Sequence, residues 1–223
     1  MIDPRLLQLC DSAFPSGAFS QSFGLETAIL ECGLSAAAGV RRWIESYLRH
    51  SVATQDACAI VLGMRGQATF SQLDAALSAS TFATDVRVAN RRLARATLDA
   101  YVSMGLDEPA IAAYRGAIAA GAADGFHAVA CMLGYRAIGV DVVDAVCAHL
   151  SSTAAALAAV AARAVPLGQR DVGALLWQLR PLLAALSKEA ETTGGIDDFT
   201  SSAIECEIDA MRHAALDARL FAS

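Results

Sequence analysis

The chain has 223 residues, with 17 Lys and Arg against 23 Asp and Glu, giving a formal charge of −6 at pH 7. That acidic balance, with no basic block longer than two residues, excludes a nucleic-acid binder, which needs clustered cations to displace phosphate counterions. At 55% apolar and only 18% charged residues, disorder is excluded as the dominant state, and part of the surface is expected to be hidden against a partner or a second copy.

Residues 1–10 contain Asp3 and Pro4 and lack a charged stretch followed by an apolar one, so they read as a flexible N-terminal segment of a cytoplasmic protein, not a secretory leader. Asp11, Pro15 and Gly17 then mark a Pro/Gly/Ser loop, after which Ser20 or Ser22 can cap a helix carrying Glu26 in its first turns. Val40, Trp43, Ile44, Tyr47, Leu48 and Val52 follow the spacing of one helix face, with Ser35 as a plausible N-cap. Further helices are expected over 71–80, 84–104 and 109–120, where Pro109 suits a first turn, and over 127–133, 141–165 and 171–193. Pro166 and Gly168 end one of these and Asp171 can cap the next. Pro181 predicts a kink or break inside the last. The Gly/Thr/Ser/Asp-rich stretch 191–202 is the one credible linker, followed by a charged helical tail ending in Arg219, Leu220 and Phe221. Alanine, the best helix former, supplies 49 residues, and no β-type alternation is convincing. The expected fold is all-α: a single-domain helical bundle of roughly eight to ten helices. The longest uninterrupted apolar run, 154–162, is well short of the roughly 18 residues that span a bilayer, so no membrane association is expected.

The search for chemistry returns mostly exclusions. The single lysine, Lys188, is followed by Glu189, so no phosphate loop of the GK[ST] type exists. The glycines of 116–125 follow no predicted strand, which removes a dinucleotide fingerprint, and no G-x-S-x-G surrounds any serine. Cysteines at 10, 32, 58, 131, 147 and 206 form no C-x-x-C pair and read as buried reduced thiols. The histidines, His50, His127, His149 and His213, form no H-x-x-x-H or H-E-x-x-H pair. Cys147 and His149 lie close in sequence but point about 200° apart on a helix and cannot share a metal. No metal site within one chain is expected, and one shared across a dimer axis stays open. Arg87, Arg91 and Arg95 repeat every four residues, as a solvated face paired with neighbouring acids or as an interface stripe. No catalytic residues are assigned and no cofactor is called for.

The most informative segment is D-S-x-F-P-x-G-A-F-S-x-S-F-G-L-E at 11–26, which holds Asp11, Pro15, Gly17, Ser20, Ser22, Gly24 and Glu26. It resembles the N-terminal signature of the urease accessory protein UreF family. Two later stretches match in the same order. The first is His127-Ala128-Val129-Ala130 with Leu133-Gly134, then Arg163 and the Val165-Pro166-Leu167-Gly168-Gln169 turn. The second is Met211 to His213, then Arg219-Leu220-Phe221-Ala222-Ser223. The resemblance spans the chain and is weakest over 53–110; an alanine run before the turn and Ala218 in the tail depart from the family pattern. It implies a non-catalytic, all-helical homodimer that bridges UreD/UreH and the GTPase UreG to deliver nickel to the urease apoprotein. It also implies that the tail over about 195–223, with Arg219, Leu220 and Phe221, orders on docking to UreD/UreH. Arg163, Pro166, Gly168 and Gln169 would lie at or near the surface that recruits UreG. The competing reading, a small-molecule-binding helical domain or a hydrolase with dispersed residues, requires a deep pocket, and one around His127 or His149 would favour it.

Overall fold

The computed structural model describes residues 3–223. Among them are eleven α-helices and no strand: α1 (Pro4–Cys10), α2 (Leu25–Glu31), α3 (Ala37–Tyr47), α4 (Asp56–Met64), α5 (Phe70–Ser80), α6 (Thr84–Ser103), α7 (Pro109–Ala119), α8 (His127–Ile138), α9 (Val142–Ala164), α10 (Gln169–Ala190) and α11 (Ile204–Arg212). The all-α reading holds. Within the segment expected to be flexible, residues 4–10 form α1, capped by the Asp3 side chain on the Arg5 amide. Met1 and Ile2 lie outside the described residues.

Helix α9 is the axis of the molecule, packed by α10 along its length and by α1, α2, α3, α4 and α8 around the rest. Its 23 residues are apolar enough to cross a membrane by length and composition, but Ala145, Val146, Leu150, Ala154, Leu157, Ala158, Val160 and Ala161 are all buried in the protein core. Small side chains on this helix let its neighbours approach closely. Helix α4 was not anticipated from the sequence. All of its residues from Ala57 to Gly63 are buried, so no polar face marks its period. Helix α3 runs straight into a π-turn at Leu48–Val52, which bulges the backbone at His50.

Three local expectations are corrected. Ala36, not Ser35, sits at the N-cap of α3 and offers no side-chain cap. Helix α10 continues unbroken through Pro181. The proline cannot bond the carbonyl of Trp177 one turn earlier, but the Arg180 guanidinium donates to that oxygen at 3.1 Å and so satisfies it. At the start of α10, Gly168 is the cap, and the Asp171 carboxylate accepts its N–H at 2.9 Å.

The arginine stripe of α6 holds a neighbouring turn. Arg91 donates to the Asp124 carbonyl at 2.7 Å and pairs with its carboxylate at 3.0 Å, while Arg87 pairs with the same carboxylate at 3.6 Å. From the other side, buried Asp74 of α5 accepts from the Tyr114 hydroxyl at 2.6 Å and from the Asp124 and Gly125 amides at 2.7 and 2.9 Å. This network fixes the loop that leads into His127. Asp74→Ala leaves the Asp124 and Gly125 amides without a partner and the Tyr114 hydroxyl with only the Phe126 carbonyl at 3.4 Å, and is expected to lower unfolding free energy by about 3 kcal/mol. Urea unfolding measures it; a loss below about 1 kcal/mol contradicts the network's role.

Candidate functional site

The signature loop and the C-terminal tail, separated by about the whole chain, meet in one polar junction. Glu26, fully buried in the first turn of α2, is its centre. Its two carboxylate oxygens accept the Leu220 amide at 2.6 Å and the Phe221 amide at 3.2 Å. The Nε2 atom of buried His213 lies 2.9 Å from the same carboxylate, and Nδ1 lies 3.2 Å from Asp85 at the start of α6. Arg219 reaches Asp85 at 3.5 Å. Ser22 is not a helix cap: its amide donates to the Ser223 carbonyl at 2.8 Å, and its hydroxyl bonds the same oxygen. The Ala222 amide donates to the Ser20 carbonyl at 2.9 Å, so the last residues lie along the loop as an added strand-like segment.

Gly24 explains why the loop can approach. Its φ of +96° lies in the region that L side chains avoid, and a Cβ there would stand 2.7 Å from the Ala210 nitrogen and 2.8 Å from the Cys206 carbonyl oxygen. Helix α11 therefore packs directly on this glycine. Trp43 of α3 also ties α11, donating to Asp209 at 3.0 Å.

Arg163 belongs to the junction as well. Its guanidinium donates to the Phe19 carbonyl and covers the Phe221 ring at 4.4 Å. The ring itself is 6% exposed, so Phe221 of the tail that the resemblance implies would order on docking is packed against the chain, while Arg219, Leu220 and Ala222 are exposed, Leu220 at 69%. Ser20, Ser22, Gly24 and Glu26 are thus brought together with Arg163, Arg219, Leu220 and Phe221. Asp11, whose carboxylate accepts the Ala13 amide at 2.7 Å, and Pro15 are exposed and make none of the junction's hydrogen bonds. Gly17, at φ +79°, begins the single turn Ala18–Ser20. Pro166, Gly168 and Gln169 form an exposed turn at the end of α9. Sequence reasoning did not single out Asp85 or assign a role to His213; the ordered Met211-to-His213 motif was the available signal for the latter.

Beside the junction a cleft with about 1350 Å³ of empty space, part of it open to solvent, runs between the signature loop, α6 and α8. Phe14, Phe19, Phe23 and Phe82 line its walls, and His127, Cys131 and His149 line it too. One ligand-type atom from each of those three lies within 4.8 Å of the others. His127 Nε2 is 3.3 Å from Cys131 Sγ one turn along α8, and His149 of α9 places Nε2 3.1 Å from the Asp56 carboxylate. Burial, helped by the neighbouring His149, holds the His127 pKa down to about 3, so the ring is neutral; burial pushes the Cys131 thiol up. The H-x-x-x-C spacing of His127 and Cys131 was legible in the sequence, but sequence reasoning took Cys147 and His149 as the close Cys/His combination and missed it.

Fold and site together define a single-domain all-α protein with its C-terminus locked into its core. The model of the UreF family matches residues 34–180. The chain is 34% identical to the urease accessory protein UreF of Arthrobacter sp. (strain FB24) over 98% of its own length and 96% of that protein's. It is 32% identical to the UreF of Corynebacterium glutamicum (strain R), covering 99% and 98%, and to that of Bacillus sp. (strain TB-90), covering 98% and 97%. The chain belongs to the UreF family of urease accessory proteins.

Proposed function

We propose that this protein is a non-catalytic, cytoplasmic scaffold of urease maturation, acting as a homodimer that bridges UreD/UreH and the GTPase UreG so that nickel reaches the urease apoprotein. Family membership supplies the context. The observation that carries the partner role is the outer face of the locked tail. Ile204, Ile208 and Met211 form one stripe along α11, exposed by 67%, 41% and 48%, with Leu220 at 69% nearby in sequence. The polar junction beneath holds these side chains in place, so docking on them needs little ordering. UreD/UreH is assigned to this face, and UreG to the exposed Pro166, Gly168 and Gln169 turn beside Arg163.

Ile208→Ser with Leu220→Ser tests the first assignment. Both side chains face solvent, so melting temperature is expected to change by no more than a few degrees. Affinity for UreD/UreH is expected to fall at least tenfold, read by co-purification and calorimetry; undiminished binding removes the stripe from the interface. The cleft around His127 and His149 is the feature on which the competing reading, a small-molecule-binding or hydrolytic domain, would rest. Its walls are mainly aromatic and aliphatic, and the titratable groups singled out above sit together at one place.

A further inference from the structure

We propose that His127, Cys131 and His149 form a binding site for one zinc-class divalent ion, with its fourth coordination position open to the cleft. The inference rests on these three side chains and not on the scaffold role or its partners.

The donor set is specific. Two imidazoles and one thiolate suit the borderline-soft ions, whereas Mg²⁺ and Ca²⁺ prefer oxygen ligands. Around a tetrahedral zinc ion, with Zn–N near 2.0–2.1 Å and Zn–S near 2.3 Å, donor atoms sit roughly 3.3–3.8 Å apart. The His127 nitrogen and Cys131 sulfur already stand at 3.3 Å. The His149 donor lies within 4.8 Å of both, a gap that side-chain rotation can close.

Placement is as telling as spacing. His127 and Cys131 sit one turn apart on α8, so one face presents both. His149 comes from α9, a helix fixed on several sides, and its ring is 2% exposed. Such a site is held by two packed helices and not by a loop. Asp56, at the start of α4, meets the His149 ring at 3.1 Å, as a carboxylate does when it orients a metal-bound imidazole. Zinc, one thiolate and one carboxylate sum to zero charge, which suits a half-enclosed cavity. On binding, the Cys131 thiol gives its proton to solvent and the histidines bind as neutral rings. Facing the cleft, the remaining position is free for water or a small donor ligand.

The test uses the full chain, reduced and metal-stripped, in a Cys32→Ser background because Cys32 is an exposed free thiol. Zn²⁺ alone is titrated against a chromophoric chelator, and Co²⁺ is used as a spectroscopic substitute. The expected result is one Zn²⁺ per chain and, with Co²⁺, a thiolate-to-metal charge-transfer band together with tetrahedral d–d bands. Cys131→Ser should abolish the charge-transfer band and weaken Zn²⁺ at least a hundredfold. Asp56→Asn should weaken it roughly tenfold to a hundredfold, as other outer partners do. His50→Gln, at a histidine outside the cluster, should change nothing. Unchanged helicity of Cys131→Ser by circular dichroism separates ligand loss from misfolding, and His149→Gln gives a second independent arm. The proposal is overturned if no Zn²⁺ binds, if binding survives Cys131→Ser in a folded protein, if the Co²⁺ spectrum lacks the thiolate band, or if Ni²⁺ binds these residues more tightly than Zn²⁺.

Discussion

Gly24→Ala is expected to lower the unfolding free energy by about 4 kcal/mol, combining the strain of a positive φ with overpacking against backbone. The clash cannot be relieved by a rotamer change, because the atoms it meets, the Ala210 nitrogen and the Cys206 oxygen, belong to the main chain of α11. Either α11 lifts off α2 or the loop moves away from the tail. Equilibrium urea unfolding gives the magnitude, and limited proteolysis shows whether the residues after Arg212 become cleavable. A destabilisation below about 1 kcal/mol would mean that α11 does not seat on Gly24.

Removing the Glu26 carboxylate is the second large effect. Glu26→Ala strips the partner from two backbone amides and from one ring nitrogen of His213, all inside the core, and is expected to cost about 3–5 kcal/mol. Glu26→Gln keeps the size and one carbonyl acceptor but replaces the other oxygen with a donor, facing groups that also donate, so a smaller loss of about 2 kcal/mol is expected. The ordering of the two variants is the informative result. Equal losses would show that volume, and not the hydrogen bonds to the tail, accounts for the effect. In both variants UreD/UreH binding should fall along with tail order, in contrast to the exposed Ile208 and Leu220 substitutions, which leave stability nearly intact.

These effects show where local pattern stops being informative. Helices α3, α5 to α7, α9 and α10 have ends within a few residues of expectation, while α8, buried at every position from Ala128 to Tyr135, runs about one turn beyond its expected C-terminus. Helix α4 displays no polar face because neighbours surround it. The signature loop and the tail were each visible as motifs, yet nothing in their spacing says that Ser22 meets Ser223 or that Glu26 holds the Leu220 amide. Ser22 has a sound local reading as a cap, which the tertiary contact overrides, whereas Glu26 does sit in the first turn of α2 and its carboxylate is also taken up by the tail. Pro181 is a milder case: a helix breaker is tolerated because Arg180 bonds the carbonyl that the ring leaves unpaired. The His127–Cys131 pair follows from spacing alone, while His149 joins it only through the crossing of α8 and α9. Long-range partners of this kind come from packing, which periodicity does not encode.

The junction also reshapes the expectation for Arg163. Its guanidinium is engaged with the Phe19 carbonyl and the Phe221 ring, so Arg163→Ala would loosen the tail as well as any surface used by UreG. A defect in UreG recruitment alone, with UreD/UreH binding kept, is therefore better sought at Gln169, which is exposed beyond the end of α9.

The scaffold role is tested most directly by purifying this protein together with UreD/UreH and UreG of the same organism and measuring the mass of the assembly by light scattering. The account predicts one stable complex containing two copies of this chain and both partners, lost when Ile208 and Leu220 are replaced. Well-folded proteins that elute separately, with this chain binding neither partner, would contradict it.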